Sequence, residues 1–575
     1  MATQLYNAWR AALTLLAATG QQPDSSKPFE VLAPYKTAIE VLPPPYGNVQ
    51  GAPCVVPLGQ HEFGFSYGTP FVGTFPPVTC DDKYSLVYLK WEASSPLGVQ
   101  FDRIAAVWIN GVELLRTSTE EPDRRTGVIW EVAKDISRYY DVVKRGGDFV
   151  IALDNVMDST YNSSFTVTLS AEFFQPQDKY KSTAEHRPDV ILPIGKNTTT
   201  SYGWFTVEPS SAATGSNSAL VTVPRNTEEL YLEVFLSHHQ CDEFYYGNPP
   251  NDYATQLGAC GNGPFREVQV LVDDELAGVV WPFPLLFTGG LNPYLWRPIV
   301  AIGAFQAPTY LVNLTPFLHK FVDAKPHNIT FFVDYGIDFW PIDGNLLVYV
   351  DKHGKQTQAR VLEKQVNRHV IPETTESVNG LDANFTLTAK RDLHIKTSVT
   401  TSKGTKIYDL SQRFEYANAQ EYRQEAEIST FDANTVIKST LRVQVPFGQD
   451  VTIATTEEYP ISGLSYYKPL TSSTYRLEAD LSNAFSRSTV VRSNAKDGAL
   501  RYGFESKDVL ITLSGTAVAQ SGLGGNGTTE VAYRSRSPRD GCFVRQAAAT
   551  LGNLIQDDVS TDCSFTDALE ALELA

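Results

Sequence analysis

Phe101-Asp102-Arg103-Ile104-Ala105-Ala106-Val107-Trp108-Ile109-Asn110-Gly111-Val112-Glu113-Leu114-Leu115-Arg116 contains one unbroken apolar segment, Ile104 to Ile109, bounded by a charged pair and by Asn-Gly. An apolar run of strand length with polar and glycine punctuation reads as a β-strand pinned in a core. Segments of the same kind recur at Tyr84 to Trp91, Phe165 to Phe173, Leu230 to Leu236, Val268 to Val272, Ile329 to Val333 and Leu346 to Val350. Each is rich in Val, Tyr, Phe or Thr, residues that fit a pleated, half-buried surface. The pattern predicts an all-β chain. Helical periodicity is confined to Ala2 to Ala18, to Asp540 to Leu574 and to a short segment at Asp135 to Val143.

At 575 residues the chain exceeds what one hydrophobic core organises, so several domains are expected. Polar breaks at 175–187 and 351–358 divide it into two β-sandwiches, 29–180 and 188–350, and a C-terminal β-rich domain, 351–575. Arg10 ahead of the apolar run Ala11 to Ala18 resembles a modest signal peptide over 1–20; an amphipathic helix is the rival reading. No later segment approaches the ~20 apolar residues of a transmembrane helix, so no membrane partner is expected.

The formal charge of −18 argues against a nucleic-acid partner, which calls for a basic patch. No P-loop, G-x-G-x-x-G, H-E-x-x-H or G-x-S-x-G pattern occurs, which removes the starting residues of common nucleotide, zincin and serine-hydrolase chemistries. Six cysteines form three sequence-local couples, Cys54 with Cys80, Cys241 with Cys260, and Cys542 with Cys563. Six allow fifteen connectivities, of which nearest-neighbour closure is the economical one. Six N-x-S/T sequons, at Asn162, Asn197, Asn313, Asn328, Asn384 and Asn526, join the even cysteine count in predicting a secreted or vacuolar-lumen protein.

Three stretches carry more polar and aromatic residues than a sandwich needs: Gln60 to Pro70, Phe101 to Arg116, and Ser237-His238-His239-Gln240-Cys241-Asp242-Glu243-Phe244-Tyr245-Tyr246-Gly247 with the following Asn248-Pro249-Pro250. With Gly263-Pro264-Phe265-Arg266-Glu267, Trp281-Pro282-Phe283 and Asn292-Pro293-Tyr294-Leu295-Trp296-Arg297-Pro298 they resemble, in consistent order over about 29–350, the peptide N-glycosidase A family of plants and fungi. Glu62 stands where that family's plant pattern has aspartate. Asp102-Arg103 opening the strand Ile104 to Ile109 is also similar to a segment of the bacterial peptide N-glycosidase F family, whose two jelly rolls pack side by side.

The resemblance implies an amidase, without cofactor or metal, that cuts between N-linked N-acetylglucosamine and the asparagine side chain of glycopeptides, here expected to act as a monomer. The reaction needs a base to activate water and an acid to protonate the departing nitrogen, roles that two carboxyls divide when their environments separate their pKa values. Asp102 is assigned as base and Glu243 as acid or water-orienting partner, with Asp154 as a further carboxylate. Arg103 and Arg266 are candidates to polarise the carbonyl or hold sugar oxygens. Trp108, Tyr245, Tyr246 and Trp296 are candidate sugar platforms, and His61, Glu62, His238, Asp242 and Arg297 candidate substrate contacts. A glycoside hydrolase acting on the glycan core and a glycan-binding sandwich without catalysis are the competing classes. The acid pair predicts an optimum at roughly pH 4 to 6. Non-reducing peptide mapping is expected to return the three local cysteine pairs, and any link between couples contradicts the clasp arrangement.

Overall fold

The computed structural model describes residues 35–122, 126–178, 186–196, 202–209, 216–445, 450–471, 474–493, 500–521 and 524–562. The candidate signal peptide and helix before residue 20, Asn197 and Cys563 lie outside these residues. The chain is all-β. Its first part comprises β1 (Lys36–Thr37), β2 (Val49–Phe63), β3 (Phe71–Phe75), β4 (Leu86–Ser95), β5 (Ile104–Ile109), β6 (Val112–Ser118), β7 (Val128–Asp135), β8 (Gly147–Leu153) and β9 (Phe165–Pro176). They form two sheets, β1-β7-β4-β9-β2 and β3-β8-β5-β6. Numbering the eight strands after β1 in chain order gives first-eighth-third-sixth facing second-seventh-fourth-fifth, the strand order of a jelly roll.

The second part repeats this order with β10 (Val190–Ile194), β11 (Phe205–Val207), β12 (Ser218–Val221), β13 (Thr227–Leu236), β14 (Glu267–Val272), β15 (Glu275–Val280), β16 (Tyr310–Asn313), β17 (His327–Asp334) and β18 (Trp340–Val350). One sheet is β10-β18-β13-β16, with β11 also paired to β18, and the other is β12-β17-β14-β15. Alternation follows exposure. In β9 the residues Phe165, Val167, Leu169, Ala171 and Phe173 are buried while Thr166, Thr168, Ser170 and Glu172 between them are partly wet. β5 is apolar throughout because both its faces are covered: Val107 and Ile109 join the main core, while Ala106 and Trp108 pack with Val150, Ala152 and Trp204 in a separate cluster.

That second face is the junction between the jelly rolls. Arg116, at 1 % exposure, forks onto Glu113 at 2.7 and 2.8 Å and donates to Ser237 Oγ, the Pro341 carbonyl and Asp343 of the second jelly roll at 2.9, 3.0 and 3.4 Å. Trp108 Nε1–H donates to Asp343 Oδ2 at 2.8 Å. Burial and the adjacent Glu113 hold the Asp343 carboxyl well above the usual range, so it keeps a proton and the cluster stays near neutral.

Beyond β18, eleven antiparallel strands between Gln358 and Ser560 form one continuous sheet, with strands up to 20 residues long. The helix expected at Asp540 to Leu574 is not formed where the structure describes it: Gly541–Thr550 and Asn553–Ser560 are paired strands. Leu551 and Gly552, at φ of 51° and 70°, turn the chain back into a hairpin, and the neighbouring strand supplies the hydrogen bonds that a helix would otherwise make internally. The short segment at Asp135 to Val143 does coil, as a 3-10 turn at Ser137–Tyr139 and a helical turn at Tyr140–Lys144. No helix among the described residues is long and apolar enough to cross a membrane.

Cys54–Cys80 and Cys241–Cys260 form the expected local disulfides. The sequon residues Asn162, Asn328, Asn384 and Asn526 are exposed; Asn313 is half-buried, its Oδ1 accepting the Thr315 N–H at 3.0 Å. Arg116→Met would leave Glu113 and Asp343 facing each other without their cation. It is expected to cost about 3–5 kcal/mol of unfolding free energy in urea titrations, the range for breaking one side of a buried pair.

Candidate active site

Asp102 ends the loop that enters β5, and the β5–β6 hairpin determines its surroundings. Ile104 pairs with Ser118, so the residues following Ser118 run beside those preceding Ile104. Thr119 N–H donates to the Arg103 carbonyl at 2.9 Å, and the Arg103 N–H donates to Thr119 Oγ1 at 2.8 Å. This places Glu120 and Glu121 beside Asp102. Glu121 accepts the Asp102 backbone N–H, and the Gly289 N–H donates to the Asp102 carboxylate. Gly289 leaves room for both carboxyls: a Cβ would lie 2.6 Å from Glu121 Oε1 and 3.0 Å from Asp102 Oδ1, and one of them would have to move.

Glu243 arrives from the second jelly roll, on the loop after β13, close enough for the Asp102 charge to act on it. Burial, with Asp102's charge adding to it, pushes the Glu243 and Glu121 carboxyls up to about 8. Burial raises Asp102 as well, against the opposing pull of Arg103. Glu120 is raised well above its usual range by burial, with Arg297 opposing. Arg297 stands 3.5 Å from Glu121. Arg103 Nη2 donates to Gln100 Oε1 at 2.8 Å, while its buried Nε–H has no hydrogen-bond partner among the described residues. The result is a desolvated cluster of carboxyls around Asp102, partly compensated by two guanidiniums, that holds protons at neutral pH.

Asp102, Arg103, Glu243 and Arg297 therefore converge. Asp154 lies one step away: Arg103's charge reaches it, and it accepts the Gly68 N–H at 3.1 Å and the Tyr202 hydroxyl, while burial raises its pKa. Other expected contacts are elsewhere. Trp108 and Trp296 are wholly buried, the latter donating to the Gly290 carbonyl at 2.7 Å, and Tyr245 spends its hydroxyl on the Pro282 carbonyl. Tyr246 is 1 % exposed. Trp108, Trp296 and Tyr245 cannot offer a ring face to a sugar, which corrects the platform reading for those three, because apolar packing claims the rings first; Tyr246, although buried, borders a cavity.

Asp242 and Arg266 are likewise structural. Asp242 accepts from Arg266 Nε at 2.7 Å, from the Ile337 and Asp338 N–H groups and from Trp340 Nε1–H, and both side chains are fully buried. His238 is buried among Tyr245, Phe287 and Trp340, and burial lowers its pKa to about 4, so it stays neutral. His61 stacks on Phe71 at 4.5 Å and Glu62 accepts from Ser164 at 2.7 Å; neither bonds to the Asp102 cluster among the described residues. Glu121 went unassigned in the sequence reading. Its signal was available: pairing the two arms of the hairpin about Asn110-Gly111 aligns the residues after Ser118 with Asp102.

Residues 42–367 match the family described as peptide N-acetyl-beta-D-glucosaminyl asparaginase amidase A, and residues 384–461 match its C-terminal domain. The chain belongs to this amidase family. It is 31 % identical over 531 residues to peptide-N4-(N-acetyl-beta-glucosaminyl)asparagine amidase A of Prunus dulcis, covering 89 % of this chain and 90 % of that protein. Among solved structures it is similar to PNGase F, described as a glycosylasparaginase from Flavobacterium meningosepticum, at 14 % identity and a TM-score of 0.34, over 52 % of this chain and 96 % of that one. A structure of PNGF-II is 12 % identical with a TM-score of 0.36, over 52 % of this chain and 66 % of that one.

The cluster of this family member has a consequence for stability. Glu40, whose carboxylate accepts the Gly303, Phe305 and Gln306 N–H groups, is raised to about 7 by burial, and Glu121 and Glu243 to about 8, from an ordinary 4.5. Between those values the folded state keeps protons that the unfolded state has lost, so stability is present below the unfolded pKa and declines as pH rises through the folded ones. Urea midpoints are expected to fall from acid toward pH 8, and Glu121→Gln is expected to flatten that decline.

Proposed function

We propose that the chain hydrolyses the amide between the asparagine side chain and the N-linked N-acetylglucosamine of glycopeptides and glycoproteins. The observation that carries this reading is the convergence of Asp102 and Glu243, from separate jelly rolls, in one desolvated cluster of a chain belonging to the amidase family. Asp102, with Arg103 favouring its charged form, takes a proton from water as the water oxygen bonds to the side-chain carbonyl carbon. The unpartnered Arg103 Nε–H donates to the oxygen on which negative charge develops. Glu243, still protonated well into the neutral range, gives its proton to the glycosidic nitrogen as the carbon–nitrogen bond breaks. Asp remains where Asn stood, and the glycan leaves as the glycosylamine; solvent then carries the proton from Asp102 back to Glu243. Glu121 acts by position, holding the Asp102 backbone N–H and anchoring Arg297.

We further propose that the protein matures in the secretory pathway, a reading supported by two disulfides and by exposed sequons among the described residues. Weighing both products of a glycopeptide digest tests the reaction: conversion of Asn to Asp with release of the whole glycan is expected. One sugar left on the peptide would indicate a glycosidase, and an intact substrate would indicate mere binding. Asp102→Asn is expected to lower turnover at least ~10²-fold while melting like the parent. The profile of kcat/KM against pH should fall on the acid side as Asp102 takes up a proton and on the alkaline side near the Glu243 value of about 8, so that activity extends above the pH 4 to 6 range expected from the residues alone, because burial raises both carboxyls. Glu243→Gln should remove the alkaline limb along with most of the activity.

A further inference from the structure

Glu243 borders a second space besides the Asp102 cluster. A cavity of about 390 Å³ lies between the Gln240–Pro249 loop of the second jelly roll and the C-terminal sheet. Its wall on the jelly-roll side carries Glu243, Phe244, Tyr246 and Phe339, and its wall on the sheet side carries Phe431 and Tyr467. The volume is within the ordinary range for a small-molecule site. No lysine or arginine lines it, so an anionic ligand finds no counter-charge there. Besides Glu243 and Glu427, the lining pairs aromatic rings with neutral hydrogen-bonding groups, including Ser429, Thr430 and Ser465, a combination suited to a neutral polyhydroxylated ligand.

Two aromatic side chains shape the cavity. Tyr246 contributes to the wall, its hydroxyl being buried. Phe431 lies half-buried at the cavity, 5.5 Å from the Tyr246 ring, and crosses over Gly463, its direct partner on the next strand. A Cβ at Gly463 would come within 2.6 Å of that ring. Only glycine lets the ring lie there.

We propose that this cavity is a glycan subsite, and that the C-terminal sheet, through Phe431 and Tyr467, binds the sugars of the N-glycan core whose attachment amide reaches Asp102. This rests on the amidase reading above, because the carboxyl of Glu243 joins cavity and cluster. The test uses the full chain and the free trimannosyl-chitobiose pentasaccharide, which lacks the amide and is not consumed. Calorimetric titration is expected to show that Phe431→Ala weakens binding about 10-fold or more, the size of a contact at an interface hot spot, while Phe431→Trp stays close to the parent and both variants melt like it. In turnover of a glycopeptide, Phe431→Ala should raise KM by a similar factor with kcat nearly unchanged. Unaltered pentasaccharide affinity in Phe431→Ala, no binding by the parent, or an affinity loss seen for the bare peptide in place of the glycan would each overturn the subsite. A parent that binds the pentasaccharide through Phe431 but leaves the glycopeptide uncut would instead sink the amidase reading and leave the subsite standing.

Discussion

The contact of Arg116 with Glu113 and Asp343 decides where everything else stands. Two jelly rolls can slide on each other if only apolar side chains meet, because dispersion and hydrophobic burial are insensitive to direction. A buried guanidinium is not: it needs its donors matched, and here one fork reaches Glu113 within its own jelly roll while the rest reaches Ser237, Pro341 and Asp343 across the junction. Ser237 begins the loop that carries Glu243, and Asp102 lies two residues ahead of β5, the strand that carries Trp108. One ionic contact thus sets the spacing of two carboxyls from different domains. It also explains why Trp108 is core: its indole N–H completes the Asp343 shell.

The C-terminal sheet is attached to the second jelly roll by the same means. Arg391 forks onto Glu267 at 2.7 and 2.8 Å, and Glu267 also takes the Trp281 N–H at 2.8 Å. Aromatic rings fill the remaining contact, with Phe414 against Trp281 and Tyr416 against Phe265. A long open sheet has edges that invite further pairing, and here the final strand, Asn553–Ser560, is almost entirely exposed, with Asp557 and Asp558 among its apolar Leu554, Ile555 and Val559. Because the sheet is anchored beside the Gln240–Pro249 loop, its residues border the space next to Glu243.

The cluster around Asp102 costs the fold something. Carboxyls withdrawn from water hold protons that the unfolded chain would release, so burial that tunes them for proton transfer also ties stability to acid conditions. Arg103 and Arg297 limit that cost without neutralising the group. Burial supplies the shift, and the proximity of like charges adds to it.

Much of this was legible in the residues. Strand-length apolar runs bounded by Asn, Gly and Pro determine an all-β chain, and β5 occupies the very segment Ile104 to Ile109. Local cysteine couples determine two clasps, since short loops bring their ends together readily. The Asp-Arg pair and the acid after Cys241-Asp242 mark the loops that carry the cluster. What the tertiary structure alone decided is which polar residues share that space. Asp242, one residue from Glu243, is consumed by Arg266 and backbone donors in the core, while Glu121, which only the pairing of the β5–β6 hairpin singles out, is folded against Asp102. The aromatic candidates divide in the same way, because a ring becomes core or platform according to what packs over it. The helix expected near the C-terminus became strand wherever it is described, because a neighbouring strand offered its hydrogen bonds. Periodicity and covalent linkage are properties of the chain; burial, and with it proton affinity and access, arises only when distant segments exclude water together.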